Sequence, residues 1–391
     1  MLNILLRFGE KNQLKFALPH SRNDFFYPST FFRSQVKNYS PGLCYNIVCN
    51  HMRFNAPEVE KLLPGDAAFF TILRDPAALF ESSFHYYKGI VPQTWRIPGK
   101  NKISEFLTNP SHYFNPEGIN SFYLRNLQFF DLGFENNLEV GDPRVHESIE
   151  YVAKRFQLVL ISDHFEESLI LLKDALCWQM DDMLFFKLNA RRAVSVSAMS
   201  PELKAKAREW NGADWKLYQH FNATFWARVE AYGRRRMEED VRELRKRNAE
   251  MEAICIDGRG AVVTEEITDG HMKPWQPLGE ATILGGRGPR ETAHHQAILS
   301  PSDALCTAEP EWGVRPRASA VKISSLLNSM KSDSGSGWSD PVFCSLVWGA
   351  RVPARLLRPL GSFPVRERLS SSLSGAKQQV SMKDQEQRLH L

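Results

Sequence analysis

FFTILRDPAALFESSFHYYK, residues Phe69 to Lys88, opens with an apolar, aromatic run (Phe69, Phe70, Ile72, Leu73) that predicts a buried strand. The run ends on Arg74. Asp75-Pro76 then supplies an N-cap followed by proline at the first helical position, so a helix starts here and carries Ser82 about two turns in. A strand, a basic residue at its carboxyl end and a helix N-terminus together make an anion site, because free N–H groups and the helix dipole face one point. Ser82, eight residues after Arg74, is spaced to add a hydroxyl to the same anion. The plainer alternative is a strand–helix unit in which Arg74 pairs with Asp75 or a neighbouring carboxylate.

Working outward, Leu2 to Phe8 has helical period and Tyr45 to Cys49 reads as a short buried strand. Ala67 to Leu73 is the strand that feeds the helix Pro76 to Lys88. Val145 to Phe156 predicts an amphipathic helix, Gln157 to Ser162 a strand, Glu166 to Trp178 a helix and Met183 to Leu188 a further short strand. Strands separated by helices imply an α/β fold, a three-layer parallel sheet with helices on both faces. From Pro201 the chain turns helical and charged. Met237, Val241, Leu244, Asn248 and Met251 repeat at 4,3,4,3 spacing, which predicts an amphipathic helix packed on the domain rather than a coiled coil.

With 49 basic and 45 acidic residues in 391, the net charge of +4 argues against a dedicated nucleic-acid binder. The six cysteines show no metal-ligand spacing. No run approaches the roughly 20 apolar residues that span a bilayer, and MLNILL at the start is too short for a signal-peptide core. Near Gly286 the composition changes. All ten tyrosines precede residue 233, while segments such as KSDSGSGWSD (Lys331 to Asp340) are rich in serine and glycine. Residues 1–285 are therefore expected to form the domain, and 286–391 a mostly disordered tail.

Further blocks accompany the opening stretch: CNHMRFN (Cys49 to Asn55), FFDLGFEN (Phe129 to Asn136), LVLISDHFEESLILLKDALCW from Leu158, and FKLNARR (Phe186 to Arg192). HFNATFW (His220 to Trp226), CIDG (Cys255 to Gly258) and PWQPLGEATILG (Pro274 to Gly285) complete the set. Together they resemble the galactose 3-O-sulfotransferases, and most closely the branch that acts on galactosylceramide. The resemblance covers Met1 to about Gly285; GRGPRETAHHQ beyond it does not match, which suggests an alternative exon or a shifted reading frame.

The resemblance implies a sulfotransferase fold like that of P-loop nucleotide hydrolases. It also implies transfer of a sulfuryl group from 3′-phosphoadenylyl sulfate (PAPS) to the 3-hydroxyl of galactose, without a metal. The expected acceptor is galactosylceramide, giving sulfatide, with lactosylceramide-type lipids next. Arg74 and Ser82 fall on the family's 3′-phosphate motif, and a guanidinium can grip two phosphate oxygens at once. His51 falls on the family's proposed general base; its imidazole can titrate near neutrality. Arg53 would either steer anionic groups or solvate a loop. Phe84, His85 and Tyr86 are candidates to line the acceptor cleft, half of this aromatic run being expected in the core.

Family members carry an N-terminal Golgi anchor and a phosphosulfate loop of the form K-T-H-K-T-A-S-S-T before L-N-I-L-F-R-F. This chain opens MLNILLRFGEKN, so the expectation is that the first strand, the loop and the anchor are absent from it. One lost leaving-group donor of this kind costs roughly 3 to 4 kcal/mol. The competing expectation is therefore an inactive remnant or isoform that binds glycolipid or the full-length enzyme. A nucleotide kinase of related fold is disfavoured, because no G-x4-G-K-[ST] loop occurs. Asn222-Ala223-Thr224 and Asn38-Tyr39-Ser40 are glycosylation sequons, the second weakened by Pro41. A family member would work at the lumenal face of the Golgi membrane; a chain without signal or anchor would stay cytosolic.

Overall fold

A computed structural model describes residues 1–20, 23–186, 199–255, 261–263 and 282–284. In chain order the elements begin with α1 (Leu2–Lys11), β1 (Phe16–Ala17), β2 (Ile47–Val48), α2 (Ala56–Glu60), β3 (Phe70–Leu73) and α3 (Pro76–Tyr86). They continue with α4 (Lys102–Thr108), α5 (Pro110–Tyr113), α6 (Leu127–Asp131), α7 (Pro143–Arg155), β4 (Leu158–Ile161) and α8 (Phe165–Leu176). Then come α9 (Pro201–Trp210), α10 (Gly212–Tyr232), α11 (Arg234–Cys255), β5 (Ala261–Val263) and β6 (Thr282–Leu284).

The fold is mixed α/β with small sheets, each two-stranded among the described residues. β1 pairs with β2 and β3 with β4, both in parallel, the latter in the register Phe70↔Leu158 to Leu73↔Ile161. Every residue of β3 and β4 is buried, which explains why they read as continuous apolar runs rather than alternating ones. The Gln157 side chain accepts from Phe69 N at 2.6 Å, so pairing continues one residue before the strands proper. β5 and β6 form an antiparallel pair for which the sequence pattern gave no strand.

Helix starts follow one chemical rule. Asp75 caps α3 by accepting from Ala77 N at 2.8 Å, Asp142 caps α7 through Arg144 N at 2.9 Å, and Ser200 caps α9 through Leu203 N at 3.2 Å. Each is followed by proline at the first helical position, where the missing N–H costs nothing. The helix expected from Val145 therefore starts at Pro143.

One large core gathers β2, β3, β4, α8 and the apolar faces of α10 and α11. A second, aromatic core lies beneath α3, where Phe80, Phe84 and Phe106 meet with ring centroids 5.6 to 5.8 Å apart. On α11 the stripe Met237, Val241, Leu244 and Met251 is buried in the main core, as its spacing predicts. Asn248, fourth in that stripe, instead accepts a hydrogen bond from Phe185 N at 2.9 Å. That bond bears on an expectation that fails. Residues 183–186 of the strand expected over Met183 to Leu188 are not extended pairing partners: Met180–Met183 is a 3-10 turn, and the Arg7 guanidinium holds the Leu184 carbonyl. The amide of Phe185 and the carbonyl of Leu184 are thus bonded to side chains of α11 and α1 rather than to a neighbouring strand. Residues 187–188 of that stretch, Arg191 and Arg192, and the expected tail from 286 onward lie outside the described residues.

Candidate active site

Arg74 sits half-buried where β3 ends, and Ser82 is buried in the middle of α3, six residues past Pro76. At 1.5 Å per residue that is about 9 Å along the helix axis. The expectation of free amides at this turn does not hold. Arg74 N donates to Gln128 Oε1 (2.7 Å), Asp75 N to Asp163 Oδ2 (2.9 Å) and Ala77 N to Asp75 Oδ1 (2.8 Å). These three amides are already used and are not open to an anion. Two carboxylates also flank the turn. Asp75 forms a two-point pair with Arg208 of α9, and Asp163 accepts from the Tyr218 hydroxyl at 3.4 Å. The Arg208 pair offsets negative charge that would otherwise repel an anion at Arg74.

His51 lies three residues beyond β2, on an extended segment bridged in parallel to residues 23–31. His51 N donates to Asn23 O (3.2 Å), Phe25 N to His51 O (2.8 Å) and Phe31 N to Arg53 O (2.9 Å). The Tyr27 ring packs on the imidazole at 3.9 Å between centroids, and the Tyr27 hydroxyl donates to Asp131 Oδ1 at 2.8 Å. Burial pushes the His51 imidazole down to about 3, so the ring is neutral throughout the physiological range. The expected titration near neutrality therefore does not hold: the burial that keeps the ring neutral also makes it a weaker base than a solvated imidazole.

α6 touches both places. The Gln128 carboxamide grips the Arg74 backbone on both sides of its Cα, accepting from its N–H (2.7 Å) and donating from Nε2 to its carbonyl (3.1 Å). Three residues on, Asp131 accepts from Tyr27, and its carbonyl accepts from Phe54 N at 2.8 Å. Residues i and i+3 share a helix face, with Cβ atoms about 5–6 Å apart. Gly133, just past α6, has φ +91°, and a Cβ there would lie 2.3 Å from the Phe54 carbonyl; only glycine allows α6 to approach the His51–Phe54 segment this closely. Asp214 of α10 holds the front of α6, accepting from Gln128 N (3.1 Å) and Phe129 N (2.9 Å). Burial raises the Asp214 carboxyl to about 7 despite those amides.

The other sequence candidates divide. Arg53 is half-buried, with its guanidinium 4.1 Å from the Phe130 ring centroid and donating to Phe134 O at 3.2 Å. Desolvation lowers its pKa, with Tyr27, Glu135 and Asp131 acting the other way. Phe84 and Tyr86 belong to the second core, at 4% and 5% exposure. His85, with its side chain 30% exposed and 3.6 Å from Glu81, is the member of the three that reaches the surface.

The sequons reverse their expected order. Asn222 lies inside α10 with its Oδ1 buried, and Thr224 donates to His220 O, so this sequon is not in the surface loop a glycan needs. Asn38 is exposed on a turn with φ +56°. Among the described residues no cluster of metal-ligating side chains occurs. Tyr27, Gln128, Asp131 and Asp214, which build the surroundings of the candidate residues, were not singled out from the sequence. FFDLGFEN contains Asp131 and Gly133, but their roles depend on contacts with residues 27 and 54.

The profile of the family described as galactose-3-O-sulfotransferase matches residues 1–301. Over 285 residues the chain is 55% identical to human galactosylceramide sulfotransferase and 54% identical to its bovine counterpart, covering 73% of this chain and 67% of each relative. Pig galactose-3-O-sulfotransferase 2 is 43% identical over 291 residues, covering 73% of this chain and 72% of the relative. No solved structure matches the chain.

Proposed function

Since this chain belongs to the galactose-3-O-sulfotransferase family, we propose that it transfers the sulfuryl group of PAPS to the 3-hydroxyl of galactose in galactosylceramide, giving sulfatide. The observation that carries this reading is the 55% identity to human galactosylceramide sulfotransferase over 285 residues. PAPS supplies an activated sulfuryl group on a nucleotide phosphate. Arg74 and Ser82 would hold its 3′-phosphate through their side chains, a charge-assisted grip that fits a turn whose three amides are used internally. The new bond joins the galactose oxygen to sulfur while the bond from sulfur to the phosphate oxygen breaks. The electron pair of that bond leaves with the phosphate, and the hydroxyl proton goes to His51. His51 is neutral and so can accept the proton, but the burial that holds it near 3 also opposes the imidazolium formed, so negative charge on the bound donor would have to raise its basicity.

Arg53 would act by holding the Phe130 and Phe134 side of the niche, and His85 is the residue of its run we assign to acceptor contact. The three-layer sheet with helices on both faces belongs to the same reading, supported by the parallel β3–β4 pair, in which both strands are preceded and followed by an α-helix. The domain is inferred to span 1–285. We infer lumenal Golgi membrane as the site of action, from family membership; among the described residues no helix is long and apolar enough to cross a membrane. The test is transfer of radiolabelled sulfate from PAPS to galactosylceramide, with retention on immobilised 3′-phosphoadenosine 5′-phosphate (PAP). Label in the lipid is expected; neither transfer nor retention would overturn the proposal.

A further inference from the structure

We propose that Gln128 is a positioning residue for the nucleotide half of the site, which it fixes relative to the His51 half through α6. The inference rests on the reading of Arg74 as a phosphate-binding residue. Gln128 is itself buried and spends both ends of its carboxamide on one residue, holding the N–H and the carbonyl of Arg74, one from each of the two peptide groups that flank its Cα. Arg74 follows the last residue of β3, where loss of sheet pairing would otherwise let the two flanking peptide planes rotate about its Cα. Such rotation swings the Arg74 side chain, and a grip on two phosphate oxygens tolerates little error.

Gln128 cannot drift, because Asp214 accepts from the amides of residues 128 and 129 and the Asn126 side chain accepts from Asp214 N at 3.2 Å. The same short helix presents Asp131, three residues later, to the hydroxyl of Tyr27, whose ring lies on His51. One rigid turn therefore sets the spacing between the group that would hold the donor and the group that would take the proton. Gly133 keeps that turn against Phe54.

The experiment is a double-mutant cycle on the full chain, with Arg74→Ala, Gln128→Met and the double variant, reading PAP affinity by calorimetry and folding by circular dichroism. Gln128→Met keeps the volume and removes both hydrogen bonds. Two neutral hydrogen bonds of this kind correspond to about a tenfold loss of PAP affinity. In the Arg74→Ala background the same substitution should change affinity less than twofold, because the side chain it positions is gone. Gln128→Glu, which keeps the acceptor for Arg74 N, serves where the Met variant does not fold and should be the milder of the two.

Equal losses from Gln128→Met in both backgrounds would mean a structural role only and would overturn the inference. Unchanged PAP affinity in Gln128→Met while Arg74→Ala weakens binding would overturn it too. An Arg74→Ala variant that binds PAP normally would instead bring down the phosphate assignment, and the inference with it.

Discussion

At the Arg74 turn the amides of residues 74, 75 and 77 all end on side-chain oxygens, and the nearby carboxylate of Asp75 is paired with Arg208. Around His51 the neighbours are mostly rings: Tyr27 on the imidazole, with Phe122, Tyr123 and Phe130 within 6.2 Å of Tyr27. The first region is a polar scaffold that aims a permanent cation; the second is a desolvated niche that keeps a titratable group neutral. Holding a phosphate requires charge that never switches off, and taking a proton requires a lone pair. In the proposed reaction the first region would meet the first demand, while the second keeps the imidazole lone pair at the cost of disfavouring the imidazolium; α6 spans them.

Substitution of His51 should separate the regions most sharply. His51→Ala is expected to lower turnover about 10²- to 10⁴-fold while PAP retention stays intact, because proton removal is lost and nucleotide binding is not. A variant that turns over normally would end the base assignment. The desolvated niche also has a pH signature. The folded-state value of about 3 lies below the unfolded value near 6.5, so the unfolded chain binds the proton first as pH falls. The stability from a neutral buried His51 is therefore present above about pH 6.5 and is lost progressively toward pH 3. Urea unfolding from pH 7 to 4 should show wild type losing more stability than His51→Gln; parallel curves would mean the imidazole is not desolvated.

Phe84 tests the border between the nucleotide-side helix and the core. Packed between Phe80 and Phe106, it should cost about 3–5 kcal/mol of stability as Phe84→Ala, with the acceptor KM of the folded protein unchanged. A raised acceptor KM at unchanged stability would return Phe84 to the acceptor cleft. His85→Ala should do the reverse, changing acceptor KM with little effect on Tm.

What could be read in the chain beforehand follows the range of the interactions. The β3–α3 junction is written locally: an apolar run, then Asp75-Pro76, cap and helix start within a few residues. Arg74 and Ser82 could be nominated from the same local signal, being eight residues apart on one connection, and their anion-binding role is a proposal. Phe84 and Tyr86 looked like site residues because aromatic identity does not tell which way a helix face points. The amides at the turn looked free because their acceptors, Gln128 and Asp163, lie 54 and 88 residues away. Tyr27 and Asp131, 104 residues apart, carry no joint signal in a single sequence. The strand expected near Met183 failed for the same cause, since side chains of α1 and α11 claim its backbone.

Tyr27→Phe is the finest probe of the niche. The substitution keeps the ring that lies on His51 and removes the hydroxyl that donates to Asp131. If the ring matters through desolvation, the imidazole stays neutral and turnover should fall less than tenfold. The lost hydrogen bond should cost about 1 kcal/mol of stability, since Asp131 is buried and keeps one donor fewer. Tyr27→Ala removes the ring as well, admits water to His51 and should raise its titration toward the ordinary imidazole value. Proton NMR of the His51 ring in the three proteins makes the comparison directly. A normal titration already in Tyr27→Phe would show that the Asp131 hydrogen bond, rather than the aromatic cover, holds the niche closed.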